Sequence, residues 1–297
     1  MADYVVMQRT AMRISPQGDF GVVVEDFDPT SPDDVRAVKR AVYRERIAVI
    51  KGIELDPHQF VALARGFGDP VRYYEPIYHH PQVPEVFVSS NVDTGRQRVG
   101  VPKTGKFWHS DYQFMARPFD LTFTHTQVVP THSRGTYFID LARAYRDLSP
   151  ELRRAVADTV ATHSVRRYFK IRPSDVYRPV SELLAEIERK TPPVTLPTVH
   201  PHPHTGEPVV YVSEGLTESI TAADGTDRPD LLHELLAATG QLDETFEHPA
   251  IRLQTFERDD LLIWDNRSLV HRALHNTTCE PAVSHRVTVY DDEGVPA

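Results

Sequence analysis

Phe107-Trp108-His109-Ser110-Asp111-Tyr112 is the stretch from which the rest of the chain can be read. A His and an Asp two positions apart, on a segment that the neighbouring aromatics favour as extended, project to one side. One imidazole and one carboxylate are two corners of a 2-His-1-carboxylate triad. Such a triad holds Fe(II) and leaves three positions open for a co-substrate and oxygen. An HxD triplet alone is weak evidence, because most such triplets are surface or packing pairs. The reading needs a distant second histidine and, close behind it, an arginine for a carboxylate. Trp264-Asp265-Asn266-Arg267-Ser268-Leu269-Val270-His271 supplies the first and Ser284-His285-Arg286 the second.

The strands that carry those residues define the fold. Val86-Phe87-Val88, Leu121-Thr122-Phe123-Thr124, Thr136-Tyr137-Phe138-Ile139, Val209-Val210-Tyr211-Val212, Leu261-Leu262-Ile263-Trp264 and Val287-Thr288-Val289-Tyr290 are short apolar runs between turn residues. With Ile47-Ala48-Val49-Ile50 and the entry strand Gly21 to Phe27, they predict a mainly β fold. The expected form is a double-stranded β-helix, a jelly roll of the cupin-like kind, with flanking helices. Helices are expected after Ser31-Pro32-Asp33-Asp34, where a capping Ser precedes Pro and two acids, and after Asp56-Pro57, the latter closed by Gly68. Another begins at Ser149-Pro150, and 172–195 reads as an inserted excursion with a helical patch at Leu183, Leu184 and Ile187. No linker or repeat breaks the chain, so 1–297 is read as one domain carrying that insertion. The open mouth of such a barrel is where inward side chains hold a metal and a small ligand.

Composition bounds the rest. A chain of 297 residues can bury a substantial core, and its net charge of -9 with no basic run argues against nucleic acid. Nothing reads as a secretory signal or reaches the apolar length of a membrane helix. The single Cys279 cannot form an internal disulfide, which fits a cytoplasmic location. Fifteen histidines make a chance partner for His109 easy to find. His200, His202 and His204 alternate on an extended segment and could bind zinc, but no Cys or acid completes a set.

With these residues in view, the chain resembles the taurine dioxygenase family of Fe(II)/2-oxoglutarate oxygenases over nearly its whole length. The matching segments are Gly21 to Phe27, Ala64-Arg65-Gly66-Phe67-Gly68-Asp69-Pro70, His109-Ser110-Asp111, His204-Thr205-Gly206-Glu207, Trp264-Asp265-Asn266, His271 and His285-Arg286. The resemblance implies iron on His109, Asp111 and His271, with 2-oxoglutarate and O2 as co-substrates. It also implies Thr136 beside the co-substrate's far carboxylate. One position departs. The family commonly has an arginine for that carboxylate where this chain has Ala282, and Arg286 keeps only the second, substrate-side arginine. A buried carboxylate without a cation is costly, so Arg134, two residues before Thr136, is expected to compensate.

A narrower resemblance lies in Tyr73-Tyr74-Glu75-Pro76-Ile77-Tyr78, Tyr112, Tyr168-Phe169-Lys170-Ile171-Arg172 and His275. Together these look like the isonitrile-forming oxygenase/decarboxylases of actinobacterial lipopeptide pathways. The implied reaction converts a (3R)-3-(carboxymethylamino) fatty acid to a (3R)-3-isocyanyl fatty acid, releasing succinate and CO2. Two carboxylates flanking a secondary amine need two anion sites. Lys170 with Tyr73, Tyr74, Tyr78 and Tyr112 is expected at one end, and His275 with Arg286 at the other. A single-step hydroxylase of an amino acid or sulfonate, and a non-catalytic jelly-roll binding protein, are the alternatives. The resemblance further implies a small-molecule substrate handed over from a biosynthetic pathway, and self-association of the chain.

Overall fold

The computed structural model describes residues 11–92, 99–169, 171–275 and 280–292. Strands and helices are numbered in chain order. The large sheet runs β1 (Arg13–Pro16), β2 (Val22–Glu25), β3 (Ile47–Ile50), β14 (Leu261–Asp265), β6 (Leu121–Val128), β16 (Val283–Tyr290) and β4 (Asp69–Val71), with β5 (Phe87–Ser90) also pairing β16. Its pairs are antiparallel except β2 and β3. Helix α1 (Pro32–Glu45) makes the crossover that a parallel pair requires. Ser31 caps it by accepting from the Asp34 amide, as its sequence leads one to expect.

Period-two alternation along β3 and β14 splits the core into two layers. Ala48, Ile50, Leu261 and Ile263 face α1 and α2 (Pro57–Arg65), packing with Val38, Val42, Phe60, Phe67 and Phe123. Ile47, Val49, Leu262 and Trp264 face the opposite way, against Phe138 and Leu269. Those last two belong to a second sheet of β13 (Arg252–Gln254), β7 (Thr136–Asp140) and β15 (Leu269–Ala273). Burying each of these side chains is worth roughly 1.5–3 kcal/mol. A third sheet joins β12 (Thr217–Thr221), β8 (Val160–His163) and β9 (Val194–Pro197), and β10 (Val199–Pro201) pairs β11 (Pro208–Val210).

Four features differ from the sequence reading. Helix α2 ends at Arg65 with Gly66 as its cap, not at Gly68. Gly68 is needed for a different reason: a Cβ there would lie 2.2 Å from the Tyr290 carbonyl oxygen. Two helices are not among those expected, α3 (Leu141–Asp147) and α6 (Pro229–Ala238), beside the expected α4 (Pro150–Val156) and α5 (Val180–Lys190). Asp140 starts α3 by accepting from two amides while still in β7, so the strand pattern masks the cap. The run at Val209 stays a strand only to Val210. Finally, the His109 segment is not a strand: His109 makes a single bridge to His271, and Asp111 opens a turn that puts Tyr112 at φ +62°. None of the described helices is long and apolar enough to cross a membrane.

Candidate metal centre

His271 lies on β15, and His109 is laid beside it by two backbone bonds. His109 N–H donates to the His271 carbonyl (3.1 Å) and His271 N–H to that of His109 (2.8 Å). This places the rings 4.2 Å apart. The turn after Ser110 swings Asp111 toward them, with His109 Nε2 3.9 Å from Oδ1 and His271 Nε2 4.0 Å from Oδ2. One donor atom from each of the three lies within 4.8 Å of the others. Among the described residues no other group of histidines, cysteines or acids is so arranged.

The surroundings prepare each donor. The Phe107 carbonyl takes a hydrogen bond from His109 Nδ1 at 2.9 Å, leaving Nε2 with its lone pair. His271 Nδ1 is buried without a partner among the described residues. Packing holds that ring instead, between Trp264 (5.0 Å) and Phe138 (6.0 Å). Burial keeps both imidazoles below their usual pKa and therefore neutral. Burial pushes the Asp111 carboxyl up, but Arg286, then the two imidazoles and the Thr122 hydroxyl, outweigh it and hold it ionised. Two neutral imidazoles and one carboxylate are the donors, in the protonation states, that Fe(II) requires. The residues fit that metal.

Asp111 is fixed from every side. Thr122 Oγ1 donates to Oδ2 at 2.9 Å and Arg286 Nη1 to Oδ1 at 2.7 Å. Buried Asn266 accepts from the Asp111 amide (2.7 Å) and donates to its carbonyl (2.8 Å). Sequence reasoning quoted Asn266 inside its motif but gave it no role, and missed Thr122. Neighbouring Asp265 accepts from His202 Nε2 (3.0 Å), whose Nδ1 in turn accepts from the His204 and Thr205 amides. His204 stacks on Tyr43 at 3.9 Å, and His200 lies edge-on to Tyr211. The three alternating histidines thus turn to structural partners, His202 and His204 sharing Tyr43.

A cleft of about 210 Å³ opens over the triad, lined by His109, His271, Arg134, Thr136, His275 and Arg286, among others. The two co-substrate candidates and two of the substrate candidates therefore share one cavity with the metal site. Ala282, the position of the family's commoner arginine, lines it too. Four of its lining residues carry a side-chain nitrogen buried without a partner among the described residues: Trp264 Nε1, His271 Nδ1, His275 Nε2 and Arg286 Nε. Arg286 also lies 4.1 Å over the Phe87 ring. The tyrosines do not line the cleft but form an aromatic layer behind Phe87. Tyr78 stacks on Phe87 at 4.4 Å, Tyr73 meets Phe87, Tyr74, Tyr78 and Tyr112, and the Tyr74 amide donates to the Tyr112 hydroxyl. Lys170 lies outside the described residues.

Residues 9–288 match the family described as taurine catabolism dioxygenase TauD, TfdA family, and the chain belongs to it. Members use Fe(II) with 2-oxoglutarate and O2. Pentalenolactone F synthase of Streptomyces arenae is 29% identical over 283 residues, covering 92% of this chain and 91% of that protein. The alpha-ketoglutarate-dependent 2,4-dichlorophenoxyacetate dioxygenase of Cupriavidus pinatubonensis is 27% identical over 293 residues, covering 92% and 95%. Among solved structures, a taurine dioxygenase from Burkholderia xenovorans aligns with TM-score 0.71 at 24% identity over 95% of this chain and 92% of that one. AAD-2 in complex with Mn(II) and N-oxalylglycine aligns at 0.72 and 20% identity over 97% and 100%. These two likenesses establish the fold. This chain is an Fe(II)/2-oxoglutarate-dependent dioxygenase of mainly β architecture with flanking helices.

Proposed function

We propose that this dioxygenase oxidatively decarboxylates a (3R)-3-(carboxymethylamino) fatty acid to the (3R)-3-isocyanyl fatty acid, on a scaffold wound as a jelly roll. The observation that supports it is that two side chains able to face an acid, His275 and Arg286, line the same cleft as the triad and each keep a buried nitrogen, Nε2 and Nε, without a partner among the described residues. A cleft walled by such groups is built for an acid and is costly to leave dry. Fe(II) with 2-oxoglutarate and O2 supplies the oxidising power, and the co-substrate leaves as succinate and CO2. His109, Asp111 and His271 would hold the metal. Arg134 and Thr136 would grip the far carboxylate of 2-oxoglutarate across from Ala282. His275 and Arg286 would receive one substrate carboxylate and set the glycyl methylene toward the metal. Lys170 would serve the other, with the tyrosine layer backing Phe87 behind the cleft wall. The acyl tail would project from the cleft, whose volume is below the ~300–1,000 Å³ of ordinary ligand sites.

Turning R–NH–CH2–COO⁻ into R–N≡C and CO2 removes four electrons, so each isonitrile consumes two molecules of 2-oxoglutarate. Mass spectrometry of the product, with succinate counted beside it, tests this. An isonitrile with two succinates is expected. A hydroxylated product with one succinate would establish instead the single-step hydroxylase, the reading favoured by the likeness to the 2,4-dichlorophenoxyacetate dioxygenase. The co-substrate assignment is tested by Arg134→Gln, which should raise the 2-oxoglutarate requirement about a hundredfold, a charge-assisted hydrogen bond being worth ~1.5–3 kcal/mol. Arg286→Gln should weaken substrate and metal binding together, since Arg286 also bonds Asp111. If both variants weaken only 2-oxoglutarate, the division of labour is wrong.

A further inference from the structure

The segment Lys103-Thr104-Gly105-Lys106 crosses the mouth of the cleft. Lys103, Thr104 and Gly105 line it. Gly105 adopts φ +67°, and a Cβ there would lie 3.2 Å from His109 Cε1. The two lysines therefore flank the residue that touches a metal-site imidazole. The Gly105 carbonyl accepts from the Ala273 amide at 2.9 Å, which ties the segment to β15 next to Arg272. Arg272 rests its guanidinium 5.0 Å over the Phe246 ring. Lys103 and Lys106 are exposed. None of the three pairs with a carboxylate among the described residues. Glu214 accepts instead from the Tyr168 hydroxyl and the Trp108 amide, and Asp111 from Arg286 and Thr122. All three cations bear on His275 inside the cleft; burial first, then Lys106, Lys103 and Arg272, hold that imidazole to about 4.

Lys103 lines the cleft, Lys106 and Arg272 are each joined in sequence to a residue that does, and none of the three has a carboxylate partner among the described residues of a chain whose net charge is -9. We propose that Lys103, Lys106 and Arg272 form a cationic collar that captures small dicarboxylates from solution and feeds them into the cleft, 2-oxoglutarate among them. Like charges in a concave, low-dielectric mouth focus the field outward and raise the arrival rate of a dianion by ~10- to 1,000-fold. The collar acts on encounter, and the bound ligand is held deeper, by the cleft walls. The inference rests on the family's co-substrate and not on the isonitrile assignment.

The test is anaerobic stopped-flow binding of 2-oxoglutarate to the Fe(II)-loaded protein, followed by tryptophan fluorescence, across a range of ionic strength. The association rate of the unaltered protein should fall at least ~10-fold from low to high salt, as the Debye length shrinks. The triple variant Lys103→Gln/Lys106→Gln/Arg272→Gln should associate ~10-fold more slowly at low salt, with a nearly flat salt dependence. Its dissociation rate should stay within about twofold, and the two proteins should converge at high salt. Lys106→Glu, a single exposed change, should slow association in the same direction and guards against misfolding of the triple variant. Unchanged association rates and salt slopes in both variants would overturn the collar. So would an effect confined to dissociation, which would make these residues direct ligand contacts.

Discussion

Asp111 shows how much of an iron site is built outside its ligands. Both carboxylate oxygens accept protein hydrogen bonds, and Asn266 grips the peptide groups on both sides of the residue. His109→Ala, Asp111→Ala and His271→Ala should each abolish iron-dependent 2-oxoglutarate turnover in a folded protein, because solvent cannot restore a facial ligand's geometry. Full activity in His271→Ala would mean that the distal ligand is misassigned. Asn266→Ala removes no ligand, yet it frees the turn that aims Asp111. Mn(II) titration should show affinity reduced ~10- to 100-fold, the usual effect of removing an outer support. An Asn266→Ala protein with native thermal stability and native Mn(II) affinity would show that the turn holds itself.

Between elements, the tightest fit is the loop after β11 against the His109 segment. Trp108 donates to Glu214 (3.1 Å), Gly215 donates to the Trp108 carbonyl (3.0 Å), and a Cβ on Gly215 would lie 2.1 Å from the Phe107 ring. Gly215→Ala should cost ~1–3 kcal/mol in denaturant unfolding. It should also weaken metal binding, since the Phe107 carbonyl fixes the His109 tautomer. Unfolding at the native midpoint would refute that coupling. This contact was not legible in the sequence: Gly215 reads as one more turn residue until its neighbour across the fold is known. What could be read were features whose signal is local. Ser31 and Asp56 announced their helices, short apolar runs between turn residues marked β3, β6 and β14, and the His109–Asp111 pair marked the site, with distant His271 joined to it through the family resemblance. Asp111 in a turn and Arg286 on Asp111 are products of tertiary approach, and no run of neighbours encodes them. The tyrosine run was visible as a motif, but its place behind Phe87, off the cleft wall, was not.

Across the whole molecule, buried histidines set the response to acid. Burial first, then the Arg267 guanidinium beside His200 and neighbouring imidazoles beside the other two, hold His163 to about 3 and His200 and His285 to about 4. In the unfolded chain the same imidazoles titrate near ~6.5. The unfolded state therefore binds protons that the native state refuses. Stability is complete above ~6.5 and falls as pH drops toward 4, by up to ~1.4 kcal/mol per pH unit for each group. Denaturant midpoints measured from neutral pH down to about 5 should fall, and His163→Gln should flatten the slope. A level profile would mean that these rings are not buried neutral. The sheet order carries a different consequence, for synthesis. Strand β6 ends at Val128, but its two neighbours in the large sheet start only at Leu261 and Val283. At ribosomal speeds of ~5–20 residues per second, the nascent β6 waits roughly 7 to 27 seconds with both edges unpaired. An open apolar strand is a template for other chains, so soluble yield should respond to chaperones and temperature well before folded stability does. His109 and Asp111 wait longer still for His271, so the iron set cannot close before β15 has been made.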